Sequence, residues 1–195
     1  MNYSDTFVHE EAIPNRVVNI AIILGASWII AISAQITINI PFSPIPITGQ
    51  TLAVLLTGII LGKKLGTTSI AAYLAQGAAG LPFFAGGKSG LATLFGPTGG
   101  YLFGFLAAVY VVGMLTELRF KRSIFLASSA LIIGNIIIYL LGLVWLARFV
   151  GEAQVLNLGF YPFLIGDLLK ILLGIVIVGG SNALYSRNTS TGTLV

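Results

Sequence analysis

Long apolar runs broken by short clusters of glycine, proline and charge dominate the chain, and they predict helices at about residues 17–40, 51–61, 66–80, 99–116, 123–147 and 162–184. The second and third are shorter than the roughly 20 residues that cross a hydrocarbon core as a straight helix. Flanking segments must therefore enter the membrane with them, or the two must lie inside the bundle. The flanks fit this. Pro41, Pro44 and Pro46 make an extended, kinked entry to the second helix, and residues 80–100 form a long Gly-rich connection with a further apolar patch at 91–95. The expected fold is an all-α integral membrane protein, a bundle of six transmembrane helices with that Gly-rich loop on the outer side between helices 3 and 4.

Composition agrees: of 195 residues 56% are hydrophobic and 8% charged, with a mean hydropathy of +0.99, which is the signature of a polytopic membrane chain. The longest polar segment, residues 1–16, is too short to build a core, so residues 1–195 are expected to form one membrane domain. The absence of cysteine excludes disulfides, thiolate metal sites and thiol nucleophiles, and leaves the redox compartment undetermined. The first apolar run is longer than a secretory h-region and lacks a clear cleavage site, so it reads as a retained first span. The net charge of +4 resides in loop cations without an aromatic-interleaved basic patch, which argues against nucleic acid.

Those cations also set an orientation. With a cytoplasmic N-terminal tail (1–16), six spans and a cytoplasmic C-terminal tail (185–195), the inner side receives Arg16, Lys63, Lys64, Arg119, Lys121, Arg122 and Arg187. The outer side receives Lys88 and Arg148. Dropping one short helix would move Arg119, Lys121 and Arg122 outside, so the charge bias favours six spans over five. Three unusual elements then share the outer side: the proline segment 41–50, the glycine segment 80–100 and the start of the sixth helix.

That helix holds the sharpest candidate. Asp167 and Lys170 are the only charged residues in 161–184, and a charge at the centre of a lipid-embedded helix costs roughly 2.5 to 3.5 kcal/mol, so such residues face a protein interior or a wet cavity. They lie on one face at i and i+3, about 7 and 12 Å below an outer end near Pro162. They can neutralise each other or grip one polar guest. In the glycine segment, Gly86, Gly87 and Gly90 permit positive φ and close approach of a ligand, and Phe83, Phe84, Phe95 and Tyr101 stand beside them. Gly96, Gly100 and Gly104, like Gly58, Gly62 and Gly66, equally match small-residue spacing for helix contacts. The intramembrane amides Gln35, Asn39, Gln76, Asn135 and Asn182 fit interhelical hydrogen bonds as well as ligand contacts, and His9 sits in the polar tail.

Enzyme chemistry lacks its parts: there is no His-Glu-x-x-His, no Gly-x-Ser-x-Gly, no cysteine and no paired intramembrane aspartate. No catalytic residue, metal site or cofactor is expected. A structural scaffold would leave the buried charges and irregular outer loops without a use.

Four segments together resemble the BioY family: Pro44-Ile45-Pro46-Ile47-Thr48-Gly49-Gln50-Thr51-Leu52; Gly80-Leu81-Pro82 with Phe84-Ala85-Gly86-Gly87; Gly96-Pro97-Thr98-Gly99-Gly100-Tyr101; and Gly166-Asp167-Leu168-Leu169-Lys170. They occur in the family's order and span most of the chain from Ala31 onward. The resemblance implies a six-helix biotin-binding S component of an energy-coupling factor transporter, in a bacterial-type cytoplasmic membrane. It captures biotin from outside and works with an EcfT-like transmembrane coupling protein and two cytoplasmic ATPases. This chain has no Gly-x-x-x-x-Gly-Lys-Ser/Thr loop to supply the ATPase itself.

On that reading Asp167 accepts from biotin's ureido N–H groups and Lys170 donates to the ureido oxygen or holds Asp167. Phe84, Phe95 or Tyr101 meets the apolar part, Gly86 and Gly87 allow close approach, and Gln50 and Thr48 add polar contacts, with an N-cap role for Thr48 equally open. The family pattern is broken at Lys88, where some members carry Asn, and at Leu102, where some carry Arg; Lys88 becomes the candidate for the biotin carboxylate. A small-residue surface on the first helix, Ala21, Gly25, Ser27 and Ala31, is the expected docking face for the coupling protein. The alternative is a carrier for a different vitamin-like ligand.

Overall fold

The computed structural model describes residues 16–117 and 124–191, with side chains for 16–117, 125 and 127–178. The tails at 1–15 and 192–195, Arg119, Lys121 and Arg122, and the side chains of Asn182 and Arg187, lie outside the described residues. Helix α1 runs Arg16–Gln35 and stops short of the expected residue 40. The β-branched run Ile36-Thr37-Ile38 pairs instead as strand β1 (Thr37–Ile38) with β2 (Ile47–Thr48), antiparallel, Thr37 opposite Thr48 and Ile38 opposite Ile47. The three prolines between them cannot continue a helix and hold the intervening turn extended.

The two short helices are the arms of one hairpin, Gln50–Ala78, broken at Gly62, whose φ of 72° lies in the left-handed region. The chain reverses there. Gln50 Nε2 donates to the Tyr73 hydroxyl at 2.6 Å, although 23 residues of straight helix would separate them by about 34 Å. The arms, α2 (50–61) and α3 (63–78), are about 18 and 24 Å long, short of a hydrocarbon core by themselves. The β-ribbon before them and the loop after them complete the depth. Among the described residues, five helical stretches are long and apolar enough to cross a membrane when the hairpin is taken as one; its two arms bring the bundle to six.

After the hairpin come a one-turn 3-10 segment (Ala85–Gly87), the short helix α4 (Gly90–Leu94), and the long helices α5 (Gly99–Glu117) and α6 (Ile124–Val150). Helix α7 (Glu152–Gly159) and a 3-10 turn (Tyr161–Phe163) lead into α8 (Leu164–Thr191). Helix α5 is the central element, packed between the hairpin and α6, with Val109 and Val112 fully buried.

Lipid tails give no hydrophobic drive for helices to associate, so close backbone approach and interhelical hydrogen bonds hold such a bundle. Both are present. A Cβ on Gly58 would fall 3.1 Å from the Val109 carbonyl, and one on Gly104 3.1 Å from the Ile138 backbone. At the hairpin turn Glu117 of α5 accepts the Lys63 backbone N–H at 2.9 Å and pairs with its ammonium at 3.1 Å. That carboxylate answers an otherwise unsatisfied N–H at the start of α3 and sits at the positive end of its dipole. A Cβ on Gly113 would lie 2.3 Å from the Lys63 nitrogen.

Gly113→Ala should therefore push α5 off the hairpin turn and cost about 1–3 kcal/mol, lowering the melting temperature in detergent. Gly25→Ala, whose Cβ meets nothing within 4 Å, should leave it unchanged. Equal melting of the two variants would contradict this packing.

Candidate functional site

At the end of the bundle away from the Gly62 turn, an open cleft of about 740 Å³, its mouth included, lies among the β2–α2 corner, the 84–88 turn and helices α5, α6 and α8. Its lining of aromatic and apolar side chains with a few convergent polar groups suits a small organic ligand. Asp167, Lys170, Lys88, Gln50, Phe84 and Tyr101 all line it, as do Thr48, Thr51, Asn135 and Tyr139.

The charged pair is seated by three helices. Asp167 is 7% exposed; its Oδ1 accepts from Lys170 Nζ at 2.9 Å, and its Oδ2 accepts from the Tyr139 hydroxyl of α6. Lys170 Nζ donates in addition to Thr51 Oγ1 of α2 at 3.1 Å. A desolvated carboxylate holds its charge only with such donors around it. Tyr139 is itself fixed edge-on between Tyr101 and Phe160, with ring centroids 6.2 and 5.0 Å away.

The aromatic and amide residues are similarly committed. The Tyr101 hydroxyl donates to the Gly159 carbonyl at 2.8 Å, tying α5 to the end of α7, and Tyr101 also lines the cleft. Gln50 donates to the Tyr73 hydroxyl, and that hydroxyl donates in turn to the Phe83 carbonyl at 3.3 Å, so α2, α3 and the following loop share one chain of hydrogen bonds. Gln35 reaches the carbonyls of Pro82, Phe83 and Phe84 at 3.3–3.4 Å from the other side. Thr48 Oγ1 accepts the Gln50 N–H at 3.3 Å, closing a local turn before α2 while lining the cleft; the N-cap position is Gly49, without a side-chain cap bond, so Thr48 is not the N-cap. Gln76 bonds Ser27 across α3 and α1 at 2.9 Å.

The glycines divide by role. Gly86 and Gly87 do not line the cleft; their φ values of 68° and 74° shape a tight turn that brings Phe84 and Lys88 into an antiparallel bridge, Phe84 N–H to Lys88 carbonyl at 2.9 Å. Their contribution is to point Phe84 and Lys88 at the cleft. Gly99 and Gly100 serve packing, since a Cβ on either would collide with backbone or with Trp145 of α6. Phe95 is 55% exposed and packs at a tilt against Phe103, outside the cleft, so it offers no wall for a ligand there.

The small-residue face of α1 splits. Ala21 and Gly25 face outward, whereas Ser27 and Ala31 are 0% and 5% exposed and pack inside the bundle. Spacing by four does not reveal which side of the helix is inward, and the Gln76–Ser27 bond decides it. Ser27 and Ala31 are therefore not on the outer surface of α1, and the expectation that they form part of a docking face does not fit their burial.

Tyr139 and Thr51 are cleft residues that sequence inspection passed over. A signal existed for the first: Asn135 and Tyr139 are four apart in an otherwise apolar helix and so share one face.

The fold and cleft define a class, a helical membrane protein with a cleft lined by a buried charged pair and aromatic rings. The BioY family model matches residues 8–187, and the chain belongs to the BioY family. It is 40% identical over 158 residues to the biotin transporter BioY of Thermotoga maritima, covering 80% of this chain and 87% of that one. It is 37% identical over 155 residues to the biotin transporter BioY2 of Lactococcus lactis, covering 78% and 82%. A crystal structure of the S-component for biotin from an ECF-type ABC transporter superposes with a TM-score of 0.77 at 30% identity, over 86% of this chain and 93% of that one.

Removing one member of the buried pair leaves the other unpaired, whereas removing both does not. Lys170→Met alone should lower the melting temperature more than the double variant Asp167→Asn/Lys170→Met. A double variant less stable than the single one would show that the pair itself is strongly stabilising.

Proposed function

We infer that this chain is the biotin-binding S component of an ECF-type transporter and takes up biotin through the cleft. The observation that carries the reading is the Asp167–Lys170 pair at the cleft wall, conjoined with family membership. Biotin's ureido ring presents two N–H donors and a carbonyl acceptor to that pair, and its thiophane ring and valeryl chain suit the Phe84 and Tyr101 rings. Lys88, which lines the same cleft on the 84–88 turn, neutralises the carboxylate. It stands in for the Arg that some family members carry where this chain has Leu102.

Lys63 and Lys64 at the hairpin turn face the cytoplasm and the cleft opens outward, following the bias of loop cations. Both termini are then cytoplasmic, in the cytoplasmic membrane. The chain is a non-enzymatic component: it carries no phosphate-binding loop, and ATP is hydrolysed by two cytoplasmic partner subunits joined through a transmembrane coupling protein. Ala21 and Gly25 support docking of that coupling protein on α1. Gly25 borders a broad apolar groove between α1, α2 and α8, with Ala26, Ile29, Ala53 and Leu56 along it.

Calorimetry on the purified chain should show saturable biotin binding without ATP. Asp167→Asn should weaken it roughly 10- to 100-fold, the loss of a charge-assisted hydrogen bond of about 1.5–3 kcal/mol, and Lys88→Ala should weaken biotin more than its uncharged amide. Binding of thiamine or riboflavin in place of biotin would overturn the reading, and equal losses for biotin and its amide would reject the assignment of Lys88.

Gly25→Leu should abolish co-purification with the coupling protein and coupled uptake while biotin affinity stays unchanged. Its Cβ points into open space, so the bulk is not a folding defect. Survival of the complex would move the docking face elsewhere.

A further inference from the structure

Among the described residues, the buried side-chain polar atoms without a hydrogen-bond partner are Thr67 Oγ1 and Asn135 Oδ1, and only Asn135 belongs to the cleft. Asn135 is 7% exposed, and its Nδ2 donates to the Leu131 carbonyl one turn back at 3.2 Å. A carbonyl only accepts, so turning the amide over would set two acceptors against each other; the free atom is the oxygen. A buried acceptor left unsatisfied destabilises the protein, and such a group retained at a cleft wall points to a guest that satisfies it.

Its surroundings specify the guest. Asn135 shares a side crevice with Thr51 and Lys170. Of the three ammonium N–H groups of Lys170, one goes to Asp167 and one to Thr51, which leaves one. An unspent donor and an unspent acceptor on one wall complement a neighbouring C=O and N–H, the edge of an amide or urea. The two N–H bonds of a five-membered cyclic urea diverge on either side of the carbonyl. A carboxylate that meets one of them squarely cannot also meet the other while a lysine holds the oxygen between them.

We propose that Asn135 Oδ1 accepts the second ureido N–H of the ligand, with Lys170 on the ureido oxygen and Asp167 on the first N–H. The assignment rests on the biotin reading above and adds to it a ligand-contact residue that sets specificity for a urea with both nitrogens unsubstituted.

The test uses the intact chain, Asn135→Leu and Asn135→Ala, with biotin and its two mono-N-methyl ureido derivatives, and records melting without ligand beside calorimetric affinity. Asn135→Leu removes the orphaned acceptor, so it should melt at or above the wild-type temperature yet bind biotin at least tenfold more weakly. For the derivative methylated at the nitrogen facing Asn135, wild type and variant should bind alike. A loss under tenfold for biotin, or equal losses for biotin and both derivatives, would overturn the assignment. Should neither variant fold, the wild-type chain decides: tight binding of both methylated derivatives, each equal to biotin, overturns it, and weakened binding of both sustains it. Failure of the wild-type chain to bind biotin at all would instead overturn the underlying biotin reading.

Discussion

A carboxylate held at membrane depth is the constraint around which this molecule is arranged. Asp167 is satisfied by Lys170 on its own helix and by Tyr139 from α6, and Lys170 is in turn anchored on Thr51 from α2. Three helices meet at one charge. The point matters most for α8, whose apolar side chains largely look outward: Ile165 is 77% exposed, Leu169 62% and Val176 68%. Such a helix gains little from packing inward, and in lipid its apolar surface has no reason to leave the hydrocarbon. Its attachment near the cleft is consequently polar, made by the same groups that line the cleft. A guest that donates to Asp167 or accepts from Lys170 acts directly on what fastens α8 to the bundle.

The opposite end is built on another principle. Around the Gly62 turn, backbone approaches backbone: Gly113 lies against Lys63, Gly66 against Val109 and the α2 backbone at Thr57, and Glu117 satisfies the exposed N–H at the start of α3. Glycines there permit contacts that any side chain would prevent. This close packing gives the short hairpin arms a rigid seat beside α5. Because the arms stop short of a full span, irregular backbone can descend from the other end and line the cleft, where its carbonyls are met by Gln35 and Tyr73.

Much of this was legible in the sequence. Apolar runs gave the helices, and the spacing of Asp167 and Lys170 gave the pair that the structure joins at 2.9 Å. The two short segments were read as separate helices of a six-span bundle because the loop cations favoured six spans over five, and the structure turns the chain between them at Gly62. What was not legible depended on which face of a helix turns inward. Ser27 and Ala31 carry the same small-residue pattern as Ala21 and Gly25, yet one pair is buried and the other exposed. That choice was made by Gln76, more than forty residues away in the chain. The glycines at 86 and 87 posed a similar problem, since positive φ serves ligand approach and turn formation alike, and here the bridge between Phe84 and Lys88 shows the turn. Tyr139 was hidden for a simpler reason: a tyrosine in an apolar helix reads as an aromatic filler until a carboxylate is found beside its hydroxyl.

Lys170 occupies a position that only a long, flexible cation can fill. It lines the cleft, the side crevice near Asn135, and the outer apolar groove bordered by Gly25 and Leu173. Its stem is therefore part of the wall between the cleft and the outer apolar groove, while its ammonium stays with Asp167 and Thr51. A four-carbon stem with a compact charged tip can do both at once, covering apolar surface along its length and delivering the charge at its end. Arginine would bring a planar fork too broad for a tip shared between one carboxylate oxygen and one hydroxyl, and methionine would keep the wall but abandon the carboxylate. The residue that neutralises the buried acid is thus also the one that separates the cleft from the membrane, which binds the chemistry of the site to the integrity of its wall.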